Sequence, residues 1–226
     1  MASSCVNSED CLENEEYAQL GDDDSDFVDL EYEKSKSLSE EYIHACHGMI
    51  FSRSEKILWN TFKLRGCVLM QMRFDGVLGF PGGLVEKGED PLIGLNREME
   101  EEIGLEVNKH GFTDADHMHT VLNKRKRLVL HFFTKEVSEE EFLVLEKNHL
   151  KAEEYGIEVM GIIRVPLFTM SDGLRGLPAF LSNQFIGNAR NQLLAGLKHT
   201  QLLKREEIEK ALESSNKHLA QSPRKL

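Results

Sequence analysis

The sequence predicts an α/β fold, and two observations support that class. Short β-like runs alternate with helical segments of moderate length across residues 40–213. Hydrophobic residues make up 40% of the 226, which is enough for a sizeable core. Residues 1–36, by contrast, are acidic and contain few core-forming side chains. We therefore predict one folded domain over 37–213, preceded by a disordered arm over 1–36 and followed by a loose polar tail over 214–226.

The predicted elements of the domain follow from local patterns. Four segments have strand character: 44–52, 67–72, 128–133 and 159–167. Asp75-Gly76 is a turn signal after the second of these. Helical periodicity covers 188–203 and continues over 206–212. The spacing of His117-Met-His119 fits no metal motif, so we predict a polar loop there.

The net charge of −12 is confined to the first 41 residues. Residues 1–41 contain fourteen acids and two bases, and in residues 42–226 the remaining 25 acids and 25 bases balance. A chain that is acidic throughout would be a poor nucleic-acid binder. The neutral domain removes that objection.

Several protein classes are excluded by what the sequence lacks. No apolar run approaches the ~18 residues of a membrane span. No basic segment followed by an apolar one marks a secretory signal. The four cysteines form no CxxC motif and have no zinc spacing, so we expect free thiols in a reducing compartment, the nucleus or the cytosol.

An acidic helix is predicted over 91–103. Asp90 is a favourable N-cap, Pro91 fits the first helical position and Gly104 fits the residue just past the end. On a helical wheel, four residues form one apolar stripe: Leu92, Leu95, Met99 and Ile103.

Three carboxylates share the face beside that stripe: Glu98, Glu101 and Glu102. Carboxylates at i, i+3 and i+4 repel one another, which destabilises a helix. A hard divalent cation such as Mg²⁺ or Mn²⁺ would relieve the repulsion. The alternative is a solvated acidic surface, as most glutamate runs are.

The spacing around this helix resembles the signature of the Nudix hydrolases. It runs Gly83-x5-Glu89-x7-Arg97-Glu98-Met99-x-Glu101-Glu102-x-Gly104-Leu105. The resemblance implies an α/β/α sandwich around a mixed β-sheet and hydrolysis of a nucleoside diphosphate linked to another group. Its metal would be Mg²⁺ or Mn²⁺, with Co²⁺ as a third candidate.

The same resemblance assigns roles to individual residues. The metal ligands would be Glu98, Glu101, Glu102 and Gly82. The structural residues would be Gly83, Glu89, Arg97 and Gly104. A carboxylate must also take the proton of the attacking water, and the candidates are Glu101, Glu102 and Glu158. For Glu158 the alternative is an ordinary surface residue.

The flanking segments resemble one branch, the small-nucleolar-RNA-decapping Nudix enzymes. The similar stretches include His44-Ala-Cys-His47, Leu69-Met-Gln-Met-Arg73, Leu78-Gly-Phe-Pro-Gly-Gly83 and Phe185-Ile-Gly-Asn-Ala-Arg190. The resemblance implies binding of a capped small nucleolar RNA and removal of its methylguanosine cap. It also implies activity on inosine and xanthosine nucleotides, a homodimer, and a location in the nucleolus and nucleoplasm, with the cytoplasm as a further site. Neither DNA nor a membrane is an expected partner.

The resemblance places the purine nucleotide against His47, Arg73, Phe80, Gly82, Gly83 and Gln192. Phe80 or His47 can stack on a ring, Gln192 can both donate and accept hydrogen bonds, and Arg73 can clamp a phosphate. Each has a plainer alternative, because Phe80 and His47 fit a core and Gln192 fits a helix surface.

A basic run lies between two apolar segments: Lys124, Arg125, Lys126 and Arg127. As a turn between strands it would offer positive charge to an RNA backbone. A nuclear import signal and a solvated turn are the alternatives.

Overall fold

The computed structural model describes residues 26–38 and 41–221. The strands are β1 (Phe27–Leu30), β2 (Ile43–Leu58), β3 (Phe62–Arg73), β4 (Leu78–Gly79), β5 (Gly82–Leu84), β6 (His117–Asn123), β7 (Leu128–Glu136) and β8 (Val159–Arg164). The helices are α1 (Tyr32–Ser35), α2 (Pro91–Ile103), α3 (Val107–His110), α4 (Glu139–Asn148), α5 (Leu177–Phe180), α6 (Ala189–His199) and α7 (Arg205–Gln221). Short 3₁₀ turns cover Asp114–Asp116 and His149–Lys151.

The sheet is mixed, as predicted, and β2 lies at its centre. Its strand order is β1-β6-β7-β2-β3-β4, with β5 paired to β2 and β8 paired to β3. β2 runs parallel to β7 and antiparallel to β3 and β5. β5 pairs with β2, and the loop that follows β5 leads into α2. The central strand therefore positions the start of the acidic helix.

Helices cover both faces of the sheet. Phe132 and Phe133 are adjacent on β7, and successive side chains of a strand point to opposite faces. Phe132 packs in the cluster that includes Leu193 of α6 and Ile208 of α7. Phe133 packs in the cluster that includes Met99 of α2 and Phe142 of α4. The three layers are therefore helix, sheet and helix, and the predicted fold class is confirmed.

The predicted strands all appear, and the turn at Asp75-Gly76 joins β3 to β4. The polar loop predicted at His117-Met-His119 is wrong, because these residues open β6. Their polarity fits the strand because His117 lies 2.9 Å from the hydroxyl of Thr120 and stacks on Tyr32.

The domain is longer at both ends than predicted. β1 pairs with β6, and α1 follows it, so ordered structure begins within the predicted arm. α7 continues to Gln221, so residues 214–221 are helical rather than a loose tail. The burial of Ser215 and the hydrogen bond from Ser214 Oγ to Gly173 O explain the extension. The predictions for residues 1–25 and 222–226 concern residues outside those described. Within the described residues, no helix is both long and apolar enough to cross a bilayer.

Candidate active site

The acidic helix α2 has the predicted limits, and local interactions fix both ends. The Asp90 side chain accepts a hydrogen bond from Leu92 N at 2.9 Å, which caps the first turn. Gly104 adopts a φ of +66°, the left-handed conformation that ends a helix. The apolar stripe packs against one face of the sheet, in the cluster that includes Phe133, and Leu95, Met99 and Ile103 are fully buried. The orientation of the glutamate face is therefore fixed by the core.

Two glycines of β5 allow that face to approach the sheet closely. A Cβ on Gly83 would lie 2.8 Å from the Glu98 carboxyl carbon. A Cβ on Gly82 would lie 2.1 Å from the Cys46 carbonyl oxygen. A larger residue at Gly82 would meet the backbone of β2, so packing requires this glycine. A larger residue at Gly83 would meet only the end of the Glu98 side chain and would displace that carboxylate.

Glu102 is the most constrained carboxylate of the helix. It is 4% exposed, and each oxygen accepts one hydrogen bond, Oε1 from Gln71 Nε2 at 2.8 Å and Oε2 from Gly82 N at 2.6 Å. Burial raises the pKa of Glu102 to about 8, although the two hydrogen bonds act in the opposite direction. Gln71, on β3, was not predicted from the sequence as part of this site.

Arg97 connects the other glutamates. Its Nη1 lies 2.9 Å from Glu98 Oε1 and 3.1 Å from Glu101 Oε2. Its Nε and Nη2 each lie 3.3 Å from a Glu89 oxygen, and Glu89 Oε2 also accepts from Glu86 N. These contacts hold the loop before α2 against the helix.

A second acidic segment lies beside the helix, immediately before β8. Glu154 N donates to Glu101 O at 3.1 Å. Partial burial, followed by repulsion from Glu158, Glu98 and Glu101, raises the pKa of Glu154 to about 7. Glu158 therefore lies near the helix glutamates. Glu154 was missed in the sequence, although its spacing of four residues from Glu158 was a usable signal.

The side chains suit a hard cation in kind, but they do not converge on one point. Among the residues described, no three acidic, histidine or cysteine side chains are arranged to hold a metal ion. Glu98 and Glu101 turn toward Arg97, while Glu102 turns toward Gly82. Burial, opposed by Arg97 and assisted by Glu101, raises the pKa of Glu98. The negative charge of this edge is thus incompletely neutralised, which is the condition that a divalent cation would relieve.

Two predicted nucleotide residues present buried polar atoms. His47 Nδ1 and Gln192 Nε2 have no hydrogen-bond partner within the part of the chain that is described. Burial and the charge of Arg73 lower the pKa of His47 to about 4, so its ring is neutral at pH 7. Gln192 lies buried on α6 rather than on the helix surface. Buried polar atoms normally have partners, so these two atoms are available to a ligand.

Arg73 and Phe80, which were also predicted to contact the nucleotide, are differently placed. Arg73 is held by the Asp75 carboxylate, with Nε and Nη2 at 3.2 and 3.1 Å from Oδ2. Phe80 is 2% exposed and packs against Phe132 with ring centroids 5.0 Å apart. Phe80 therefore packs in the core, and its role in stacking on the purine stays a prediction.

The basic run forms the turn between β6 and β7. Arg125 Nη2 lies 3.0 Å from Asp26 Oδ2, and Arg127 Nη1 lies 3.2 Å from Glu41 Oε2. Both ion pairs are exposed to solvent, so the turn is a charged surface and its ion pairs do not belong to the core.

Comparison with known proteins supports the assignment that this geometry suggests. The chain is 43% identical to a U8 snoRNA-decapping enzyme from Bos taurus over 77% of this chain and 90% of the relative, and 42% identical to one from Xenopus laevis over 79% and 85%. It is 36% identical to a Tudor-interacting repair regulator protein from Homo sapiens over 81% and 86%. A solved NUDIX domain of Shewanella oneidensis NrtR, complexed with ADP ribose, has a TM-score of 0.47 at 14% identity, covering 76% of this chain and 99% of that one. Residues 44–203 match the family described as Nudt16-like, U8 snoRNA-decapping enzyme-like. The chain belongs to this family and is a Nudix hydrolase.

Proposed function

We propose that this protein is a divalent-metal-dependent pyrophosphohydrolase that removes the methylguanosine cap of a small nucleolar RNA. The products would be a capped nucleoside diphosphate and an RNA with a 5′-monophosphate. The carrying observation is the acidic edge of α2, where Glu98 lies against Gly83, Glu102 accepts from Gly82 N, and Glu101 shares Arg97 with Glu98. Relatives that are 43% identical and named as U8 snoRNA-decapping enzymes support the choice of substrate.

The proposed metal ligands are Glu98, Glu101 and Glu102, together with Gly82. Gly82 would contribute its carbonyl oxygen, since its amide already donates to Glu102. Bound Mg²⁺ or Mn²⁺, with Co²⁺ as a third candidate, would neutralise phosphate oxygens and make a water more acidic. Arg97 would keep Glu98 and Glu101 aimed at the substrate edge, because it holds both carboxylates and is itself fixed by Glu89.

The proton of the attacking water needs a carboxylate to receive it. We assign this role to the segment before β8, where Glu158 was predicted and Glu154 is its neighbour. The pKa of Glu154, at about 7, suits a general base that works near neutral pH. Glu102 is a weaker candidate because both of its oxygens already accept hydrogen bonds.

The purine would bind through His47 and Gln192, and its phosphates through Arg73. A neutral His47 ring can donate or accept one hydrogen bond, and the free Gln192 Nε2 can donate to a carbonyl oxygen of guanine or hypoxanthine. Arg73 would have to leave Asp75 to clamp a phosphate bidentately. Guanine and inosine nucleotides share the 6-oxo group, so one pocket would serve both.

The RNA chain beyond the cap would follow the turn 124–127. Its four bases can contact phosphates, which predicts weaker RNA binding and a flatter salt dependence when all four are neutralised. A homodimer and a location in the nucleolus and nucleoplasm, with the cytoplasm as a further site, belong to the same proposal and rest on the resemblance alone.

Two other functions compete with decapping. One is hydrolysis of inosine and xanthosine di- and triphosphates, which would use the same pocket. The other is a binding module without catalysis that holds RNA or a partner protein. Relatives named as Tudor-interacting repair regulator proteins support a protein partner. Retention of every acidic position of the motif, from Glu89 to Glu102, favours an enzyme.

The deciding experiment compares Glu101→Gln with Glu100→Gln on capped RNA in Mn²⁺. Glu100 lies on the same helix and is exposed, so its variant controls for the loss of one charge. We expect Glu101→Gln to lower cap release by about 100-fold or more, the scale of one lost stabilising group, and Glu100→Gln to leave it nearly unchanged. Equal activity of both variants and the parent would remove the metal assignment.

Substrate choice needs a separate comparison. Turnover on capped small nucleolar RNA, capped messenger RNA and inosine diphosphate should be measured with the same metal. Preference for the capped small nucleolar RNA supports decapping of that class. Faster hydrolysis of inosine diphosphate alone would favour the nucleotidase, and no turnover on any of the three would favour the binding module.

A further inference from the structure

Gln71 lies where three segments of the candidate site meet. Its backbone pairs with Gly79 of β4 on one edge of β3 and with Ile162 of β8 on the other edge. The strand β4 leads into Gly82, and β8 follows the acidic segment that contains Glu158. Because neighbouring strands hold β3 on both edges at this point, the position of Gln71 relative to both segments is fixed.

The side chain of Gln71 is buried and contacts the third segment, the helix α2. It is 1% exposed, and its Nε2 donates a hydrogen bond to Glu102 Oε1 at 2.8 Å. Gly82 N donates to the other oxygen of the same carboxylate at 2.6 Å. Two donors on different strands oppose rotation of the carboxylate about its last side-chain bond. The sheet therefore sets the plane of the Glu102 carboxylate through Gln71 and Gly82.

The oxygen of the Gln71 amide is an unpaired buried acceptor. Oε1 has no hydrogen-bond partner among the residues described. A buried acceptor without a donor destabilises a fold, whereas a methionine of similar length fills a core without adding such a group. The stability of the core alone would not favour a glutamine here. Its contact with Glu102 is the interaction that accounts for the amide.

We propose that Gln71 is a positioning residue, which holds the Glu102 carboxylate in the orientation that a divalent cation requires. The proposal rests on the proposed function, because it takes Glu102 to be a metal ligand. Partners that bond to a metal ligand without contacting the metal orient that ligand. Their substitution typically lowers metal affinity by about 10–100-fold.

The test measures Mn²⁺ affinity in the absence of substrate. Gln71→Met keeps the length of the side chain and removes its donor, and the EPR signal of free Mn²⁺ gives the Kd. We expect the variant to bind Mn²⁺ about 10–100-fold more weakly than the parent. An affinity within about twofold of the parent would overturn the proposal.

Two controls on β3 separate positioning from a general effect on the fold. Leu69→Met introduces the same side chain two residues earlier on the same face, where Leu69 packs in the cluster that includes Met99 of α2. Met70→Ala removes buried atoms from the opposite face and destabilises the fold. Both controls should bind Mn²⁺ within about twofold of the parent. If either control loses as much affinity as Gln71→Met, the loss is not specific to Gln71 and the positioning role is wrong.

Urea unfolding in EDTA checks that the variants are folded before Mn²⁺ is added. Gln71→Met should unfold close to the urea concentration of the parent, because removal of the unpaired Oε1 offsets the lost hydrogen bond. Should it fail to fold, Gln71→Asn takes its place. Asparagine keeps the amide but is one carbon shorter, so its donor falls short of Glu102 and the same loss of Mn²⁺ affinity is expected.

Glu102→Gln, measured in the same assay, distinguishes this proposal from the proposed function. If Glu102→Gln loses Mn²⁺ affinity and Gln71→Met retains it, the metal assignment stands and the positioning role is wrong. If Glu102→Gln binds Mn²⁺ as tightly as the parent, Glu102 is not a ligand and both proposals fail. Loss of affinity in both variants, with the two controls unchanged, supports both.

Discussion

Glu102 predicts an unusual dependence of stability on pH for the metal-free protein. Its carboxyl has a pKa of about 8 in the folded chain, against an ordinary value of 4.5. Between these two values the folded state binds a proton that the unfolded state has released. Because the raised pKa favours the protonated form, stability is full below pH 4.5, falls as the pH rises, and levels off above pH 8. The difference of roughly 3.5 units between these values corresponds to about 5 kcal/mol across this window.

Glu102→Gln removes that dependence while keeping the shape of the side chain. One of the two oxygens becomes an amide, which loses a hydrogen bond and costs about 1 kcal/mol. Gln71 can limit the loss by rotating its own amide, because its Oε1 is buried with no partner among the residues described. The variant should therefore be slightly less stable than the parent at pH 5 and more stable by about 1–3 kcal/mol at pH 9.

The assay is urea unfolding in EDTA at several pH values between 5 and 9. Glu100→Gln is the matched control, since it removes a charge from the exposed side of the same helix, and its curve should parallel that of the parent. Adding Mn²⁺ at pH 8 should stabilise the parent and not Glu102→Gln, because a ligand that binds only the folded state raises its stability. Parallel pH curves for the parent and Glu102→Gln would refute the reasoning.

Three further predictions concern packing, charge and acid sensitivity. Gly66→Ala should destabilise the fold by roughly 3 kcal/mol or more in urea unfolding, because the new Cβ would lie 2.1 Å from the backbone oxygen of Ser52. Gly76→Ala is the control, because no atom lies within 4 Å of its new Cβ. It should cost only the strain of its left-handed φ, about 1 kcal/mol. Arg97→Lys should weaken Mn²⁺ binding by about 10-fold in calorimetry. A lysine cannot hold the carboxylates of Glu89, Glu98 and Glu101 at once, as Arg97 does. Burial, assisted by neighbouring positive charge, lowers the pKa of His131 to about 3, so stability should be lost as the pH falls below 6.5 toward 3, and His131→Asn should flatten that limb of the pH profile.

The acidic helix could be predicted closely because its signals are local. Asp90, Pro91 and Gly104 mark its ends, and the period of the apolar stripe sets its orientation. The carboxylate face follows from the same wheel, so the candidate ligands could be named before any tertiary contact was known. The strands were found for similar reasons. β2, β3 and β7 extend beyond the predicted apolar runs, whereas β8 ends at Arg164, before the predicted limit of 167.

The residues that were missed or misplaced depend on contacts between distant parts of the chain. Gln71 contacts Glu102 across 31 positions, and nothing about a glutamine in a strand indicates that contact. Phe80 is adjacent to the glycine loop in sequence, but its ring packs against Phe132 in the core. β1 was predicted to lie in a disordered arm because acids dominate the composition of residues 1–36. Its pairing with β6 supplies backbone hydrogen bonds, which composition cannot reveal.

The contacts of Arg97 suggest how the protein tolerates a carboxylate cluster in the absence of a cation. The guanidinium neutralises Glu98 and Glu101 from the side of Glu89, while Glu102 avoids charge by burial and protonation. These are two different solutions on one helix face. Arg97 contacts one oxygen of Glu98 and one of Glu101, so each can offer its other oxygen to a cation while Arg97 holds it, whereas Glu102 would have to release its proton. Because Glu102 releases its proton more easily at higher pH, cation affinity should rise as the pH increases toward 8. The burial of Glu102 that destabilises the metal-free fold therefore also links metal binding to proton release.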